Sequence, residues 1–502
     1  MVLRHGCWLG LAVAVLAAPA LGQAPASKST DSKRTAQTRP AKTVTIAQTI
    51  TAPAPTSPRA PRTLAEALAA TYANQPLLQS ERAKLRATDE TVPQALAGWR
   101  PTVVMAGTAG YADGASRANV GIPSSVTVRT NRLIGTAQAT LSQPLYTGGK
   151  TQANVNRSKN QVMAERATLL SQEQTSFTNT VNAYVGVIQA QQLLALAINN
   201  EQVLAKQLQA TNDRFRVGEI TRTDVAQAEA ALASATASRQ TAEGNLQTAR
   251  GTFQQVIGFY PPGDLVEPQP LSLPVKTEQE AMLTAANNNP QVVTALFNDA
   301  AAKDAVDVAF AQLMPQVSFQ GQVLDSNNAL LRRTANSGYQ AVVQLSVPVY
   351  QGGAEYSGVR QARQGAQQTT KLVDDARRTA VQNTVQAWES LTAAKASADS
   401  TREAIRANQI ALEGVEREAI VGSRTTLDVL NAQQTLLNSR VTLVQNLSQL
   451  VTASYSVAAA VGRLTARDLH LPVPLYDETA YYNAVKDKWA GLGDYTTNQP
   501  GR

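Results

Sequence analysis

The chain has 502 residues, with 45 Lys plus Arg against 37 Asp plus Glu and a net charge of +8. Seven of those eight units lie in residues 1–62, so residues 63–502 carry only +1 and offer no basic face to a nucleic-acid partner. One Cys and two His, with Cys7 and His5 in the first ten residues, exclude disulfide frameworks, Cys/His zinc sites and catalysis built on several histidines; no metal or cofactor is expected.

Residues 1–22 read as a secretory signal peptide. Arg4 and His5 precede the apolar run Trp8 to Leu21, and Ala20-Leu21-Gly22 supplies small residues at the cleavage-type spacing. Cys7 lies before that run, which is not the place of a lipid-attachment cysteine. Beyond it no uninterrupted run reaches the ~18 apolar residues of a membrane helix, so a membrane crossing has to be made by strands. Residues 23–62, rich in Ser, Thr, Pro, Lys and Arg and without periodicity, are expected to be disordered.

The rest of the chain is written twice. LSQPLYTGGK at 141–150 matches LSVPVYQGGA at 345–354, and RVGEITRTDV at 216–225 matches IVGSRTTLDV at 420–429, both at an offset of 204. Thr63, Pro76 and Pro101 match Thr277, Pro290 and Pro315 at 214, so the second copy is ten residues shorter in its strand region. The first repeat, 63–258, is expected to hold a helix over 63–98 with a Thr63–Glu66 capping box. Barrel strands follow at about 101–112 and 132–146, then helices at 150–215 and 222–257 broken at Val217-Gly218. A linker spans 259–276. The second repeat, 277–462, predicts a helix over 277–312, strands at about 315–324 and 338–350, and helices over 354–420 and 425–461. Residues 463–502, with Tyr476, Tyr481, Tyr482 and Trp489, form a C-terminal extension expected to pack on the outside of the helices.

The strands alternate in two faces. Leu133, Gly135, Ala137, Ala139 and Leu141 oppose Ile134, Thr136, Gln138, Thr140 and Ser142; Val317, Phe319, Gly321 and Val323 oppose Gln316, Ser318, Gln320 and Gln322. Tyr339, Ala341, Val343, Leu345, Val347 and Val349 share a face against Gln340, Gln344 and Ser346, which Val342 joins, and Val103, Met105, Ala109 and Tyr111 lie together. One such strand also suits a half-buried soluble sheet. Four of them after a signal peptide point to a transmembrane barrel, and four strands are too few to close one, so more than one chain is required. At the strand-to-helix turns Pro144 and Pro348 cannot donate to a ladder, while Gly148-Gly149 and Gly352-Gly353 let the backbone swing. The long helical stretches, about 100 Å each at 1.5 Å per residue, carry an apolar seam at Val155, Val162, Leu169, Phe177, Val181, Tyr184 and Ile188.

On these motifs the chain resembles the TolC family of outer-membrane channels over about residues 63–475. The resemblance implies a mainly α fold with a transmembrane β-barrel: two repeats of helix-strand-strand-long helix-helix, in a homotrimer whose twelve-stranded barrel is continuous with a periplasmic α-helical tunnel. It implies a passive, gated exit duct in the outer membrane of a Gram-negative bacterium, for efflux or type I secretion. Its partners would be a periplasmic adaptor, an inner-membrane transporter and outer-membrane lipid. Carried over residue by residue, Thr223, Asp224 and Arg424 stand at linking positions of the periplasmic gate, Asp428 at an acidic ring, and Asn431 where the family has a second acid. Val217-Gly218 and Val421-Gly422 stand at the adaptor-docking turns. Two other classes compete. A structural or adhesive coiled-coil envelope protein would not need the amphipathic strands, and an envelope enzyme would need a clustered acid/base set that is not seen.

Overall fold

A computed structural model of the chain describes residues 60–119, 125–328 and 334–493. The expected signal peptide and most of the expected disordered segment lie outside the described residues. Arg62, placed in that segment, is ordered: its carbonyl accepts the Val266 N–H at 3.0 Å and lies 2.6 Å from the Tyr184 hydroxyl.

The first repeat runs α1 (Leu64–Asn74), α2 (Pro76–Asp89), α3 (Thr91–Leu96), β1 (Thr102–Asn119), β2 (Ser125–Tyr146), α4 (Lys150–Arg216) and α5 (Arg222–Ile257). The second runs α6 (Glu278–Asn288), α7 (Pro290–Phe310), β3 (Gln316–Asn327), β4 (Ala335–Ser346), α8 (Ala354–Ile420) and α9 (Thr426–Ala460), and α10 (Ala480–Val485) follows. The single helices expected over 63–98 and 277–312 are each broken. Gln75 (ψ 117°) and Asn289 (ψ 128°) are extended, and Pro76 and Pro290 start new helices. The cause is the proline ring, which drives the preceding residue out of the α region.

The first pair of strands is longer than expected. Residues 112–119 and 125–131 continue the β1–β2 hairpin, although their mostly small and polar sequence does not alternate clearly between two faces. The second pair stops at 12 residues each, which is where the ten missing residues of the second repeat are found. Pro144 is tolerated inside β2 because the register slips between it and Tyr146. Beyond Ser346 the expected fourth strand ends, and Pro348 lies outside the ladder.

Both long helices have 67 residues, about 100 Å. Along its upper part α4 packs between α2 and α7, with α8 beyond α7; along its lower part it packs between α5 and α9, with α8 beyond α9. Two shorter helices end to end thus match one long helix. All seven seam residues of α4 are buried. Phe177, Val181 and Tyr184 meet Leu68 and Tyr72 of α1, Phe253 and Ile257 of α5, and Leu464 beyond α9 in one core. One 18-residue window of α4 has a mean hydropathy of 1.4, apolar enough to cross a membrane by length and composition, and about a third of it is buried inside the protein.

Candidate functional site

β1 to β4 form one antiparallel sheet in sequence order. The register puts Met105, Ala139, Val323 and Tyr339 in one row across it, and Val103, Leu141, Gly321 and Ala341 in a neighbouring row. Nothing among the described residues covers this face: Met105 is 82% exposed and Tyr339 89%. The other face is richer in polar residues, some paired across strands, among which Val104, Ile134, Leu324 and Val342 are interspersed. The Thr108 and Thr136 hydroxyls lie 2.6 Å apart, and the Gln320 amide donates to Gln344 at 2.7 Å. A sheet apolar on its uncovered face and hydrogen-bonded on the other suits lipid on one side and water on the other. The outer edges of β1 and β4 pair with no strand among the described residues.

The turns that join sheet to helices hold the predicted glycines in the left-handed region, Gly148 at φ 65° and Gly352 at 73°. They differ in surroundings. A Cβ on Gly148 would lie 2.9 Å from the Ala311 carbonyl and collide with Met314, so the first turn is seated on the second repeat; around Gly352 there is open space. Gly149 and Gly353 cap the N-termini of α4 and α8.

At the far end, the two helix tips have nearly the same construction. Gly218 and Gly422 turn the chain at φ 80° and 81°. The Glu219 N–H donates to the Arg214 carbonyl and the Ser423 N–H to the Glu418 carbonyl, both at 3.0 Å. Thr221 and Thr425 then cap α5 and α9. The Thr221 N–H donates to Asp224 and the Thr425 N–H to Asp428, each at 3.0 Å, and each aspartate N–H donates back to its threonine hydroxyl. The Thr221 and Thr425 hydroxyls also donate to these carboxylates, at 2.7 and 2.8 Å, and the hydroxyl and N–H donors together hold both carboxyls below the usual carboxylate range. Val217 and Val421 are both 78% exposed. Thr223 and Asn431 are exposed, Asn431 one turn beyond Asp428 on the same side of α9.

A family model described as outer membrane efflux protein matches residues 67–259 and 282–463. The chain belongs to the outer membrane efflux protein family. The outer membrane efflux protein BepC of Brucella suis is 34% identical over 433 residues, covering 86% of this chain and 92% of its own. The outer membrane protein TolC of Escherichia coli is 25% identical over 410 residues, covering 79% and 81%. Among solved structures, the Campylobacter jejuni CmeC outer membrane channel superposes with a TM-score of 0.71 at 15% identity, over 84% of this chain and 89% of that one. As a family member the protein is an outer-membrane efflux channel whose helical part extends into the periplasm.

In this efflux-family chain the residues expected to link neighbouring coils are engaged within their own hairpins. Asp224 is held by Thr221. The Arg424 guanidinium donates to Glu418 at 2.9 Å. Asp224 and Arg424 sit on different hairpins and share no ion pair among the described residues. Sequence reasoning missed Glu418 and the Arg214–Glu219 pair, 2.5 Å apart. It also missed the caps themselves, although Thr-x-x-Asp at 221–224 and 425–428 is a readable capping box. Between the helices a cavity of about 470 Å³ is lined by uncharged amides and hydroxyls, among them Gln174, Asn179, Asn289, Asn383 and Gln449. Such a wall suits water and holds no fixed charge.

Proposed function

We propose that three copies of this chain close their four-stranded sheets into one twelve-stranded barrel, and that the helices continue it as a tunnel through the periplasm. The observation that carries this is the sheet, with one apolar face uncovered and two strand edges unpaired. In lipid each unpaired backbone group would cost several kcal/mol, and pairing β1 of one copy with β4 of the next removes the cost. The assembly is a passive duct between a periplasmic adaptor fed by an inner-membrane transporter and the exterior. Substrates pass without chemistry. Native mass spectrometry of the detergent-extracted protein should give three chains per particle. A monodisperse monomer or dimer that retains the sheet would overturn the trimer.

The tips form its periplasmic gate. Asp428 supplies an acidic ring, and Asn431 makes the ring beside it polar and uncharged. Thr223, Asp224 and Arg424 hold neighbouring hairpins together in the closed ring, and the exposed Val217-Gly218 and Val421-Gly422 turns receive the adaptor. Asp224→Ala combined with Arg424→Ala is expected to raise single-channel conductance. Conductance unchanged from the native channel would contradict the gate.

A further inference from the structure

The C-terminal extension climbs the outside of α2. At its base the Tyr476 N–H donates to the Tyr72 hydroxyl at 2.9 Å, and the Arg82 guanidinium lies 4.5 Å from the Tyr72 ring and 5.1 Å from the Tyr476 ring. Higher up, the Tyr481 hydroxyl donates to Glu90 at 2.8 Å, and the Arg166 guanidinium lies 5.4 Å over Tyr482. At the top, Arg100 donates to the Lys488 carbonyl at 2.7 Å and sits 4.9 Å from the Trp489 ring. Arg100 is two residues before β1 begins at Thr102. The neighbouring Trp99 carbonyl accepts the Gln143 side chain of β2 at 2.9 Å. Among the described residues the extension therefore reaches the side chain of Arg100, two residues before the first paired residue of the sheet.

What it presents there differs from what it presents lower down. Tyr476, Tyr481 and Tyr482 are half-buried against the helices, whereas Trp489 is 71% exposed and Trp99, next to Arg100 in sequence, 39%. Arg100 lies against the Trp489 ring, and Lys486 and Lys488 flank Trp489 in sequence, with Asp487 as the one acid among residues 480–493. The Lys486 ammonium is 6.0 Å from the Tyr482 ring, and that of Lys488 lies 3.2 Å from the Gly493 carbonyl. An exposed indole backed by cations, level with the rim of a membrane-spanning sheet, matches the boundary between headgroups and acyl chains. Trp is favoured there, and Lys and Arg reach anionic phosphates.

We propose that residues 480–493 form a foot resting on the periplasm-facing leaflet of the outer membrane, with Trp489 in the headgroup–acyl boundary and Arg100, Lys486 and Lys488 on phospholipid phosphates. This rests on the reading that the sheet spans the membrane. The occupant is anionic phospholipid, selected by the excess of cations over Asp487. The foot fixes the depth of each copy in the bilayer independently of the strands.

The full-length assembly, reconstituted in phosphatidylglycerol vesicles whose lipids are brominated near the top of the acyl chains, tests this. The Trp489 signal is read as the difference between the native chain and Trp489→Phe. It should be blue-shifted and quenched. Lys486→Gln with Lys488→Gln should weaken the quenching in phosphatidylglycerol and leave it unchanged in phosphatidylcholine. A Tyr339→Trp variant, placing an indole on the uncovered apolar face of β4, reports on the barrel in the same vesicles. If Tyr339→Trp is quenched and Trp489 is not, the ring lies in water or against another copy and the foot is wrong. If neither is quenched, the spanning sheet falls and the foot with it.

Discussion

Asp89 is the last residue of α2 and is fully buried, and neither of its carboxylate oxygens has a hydrogen-bond partner among the described residues. Burial pushes its pKa up to about 7, with Glu90 and Glu478 adding to the rise and Arg166 and Arg86 opposing it. A carboxyl raised in the folded state binds more protons folded than unfolded. Its charge therefore costs stability above about pH 7, and the cost fades as pH falls from 7 toward the unfolded value of 3.8. Asp89→Asn should raise the melting temperature by a few degrees at pH 8 and change it little at pH 5. An unchanged difference between native and variant across that range would contradict the burial argument. The tip aspartates have the opposite sign. Their carboxyls are held low, so the support they give is present at neutral pH and is lost only in acid, as pH falls through the depressed values.

Among the elements, the turns and strands make the sharpest contrasts. Gly148→Ala and Gly352→Ala both force a side chain into the left-handed region, but only the first also meets backbone and side chain of the other repeat. Gly148→Ala should therefore cost clearly more thermal stability than Gly352→Ala; equal costs would show that the seat on Ala311 and Met314 carries no energy. On the sheet, Met105→Lys should destabilise the reconstituted protein by about 1–2 kcal/mol in urea titration, as a charge facing lipid does between the interface and the midplane, while Gln320→Lys on the polar face should cost less. These are also the elements the sequence showed best. Period-two alternation marks the parts of β1 to β4 that have distinct apolar and polar faces, and P-x-Y-x-G-G marks the strand-to-helix turns. The outer part of the β1–β2 hairpin was illegible because small and polar residues such as Ala112, Gly114 and Ala115 have no face to show. The breaks at Pro76 and Pro290 were legible as residues but hidden by helical periodicity on both sides. At the tips, Asp224 and Asp428 could be found by motif, whereas the Arg424–Glu418 pair could not, because its reach depends on a turn at Gly422 that a linear reading does not build.

For the whole molecule, the +8 charge loses its significance. The described body is near neutral, and its tip ion pairs are exposed pairs within single hairpins, where water and salt screen them. In the proposed gate, closure of the periplasmic end would therefore depend on repetition of several weak links around a ring. The molecule's stability lies elsewhere, in the core where α1, α4, α5 and the stretch after α9 meet, around Phe177, Tyr184 and Phe253. That separation lets the tips move without loosening the fold. The proposed duct depends on the open-edged sheet becoming a closed wall around water. The most direct test is single-channel recording from the purified oligomer in a planar bilayer. Discrete, stable conductance steps are expected, and Asp428→Asn, which with Asn431 already neutral leaves this pair of rings without a carboxylate, should reduce their preference for cations. A stable, correctly folded oligomer that inserts and passes no current would contradict the account.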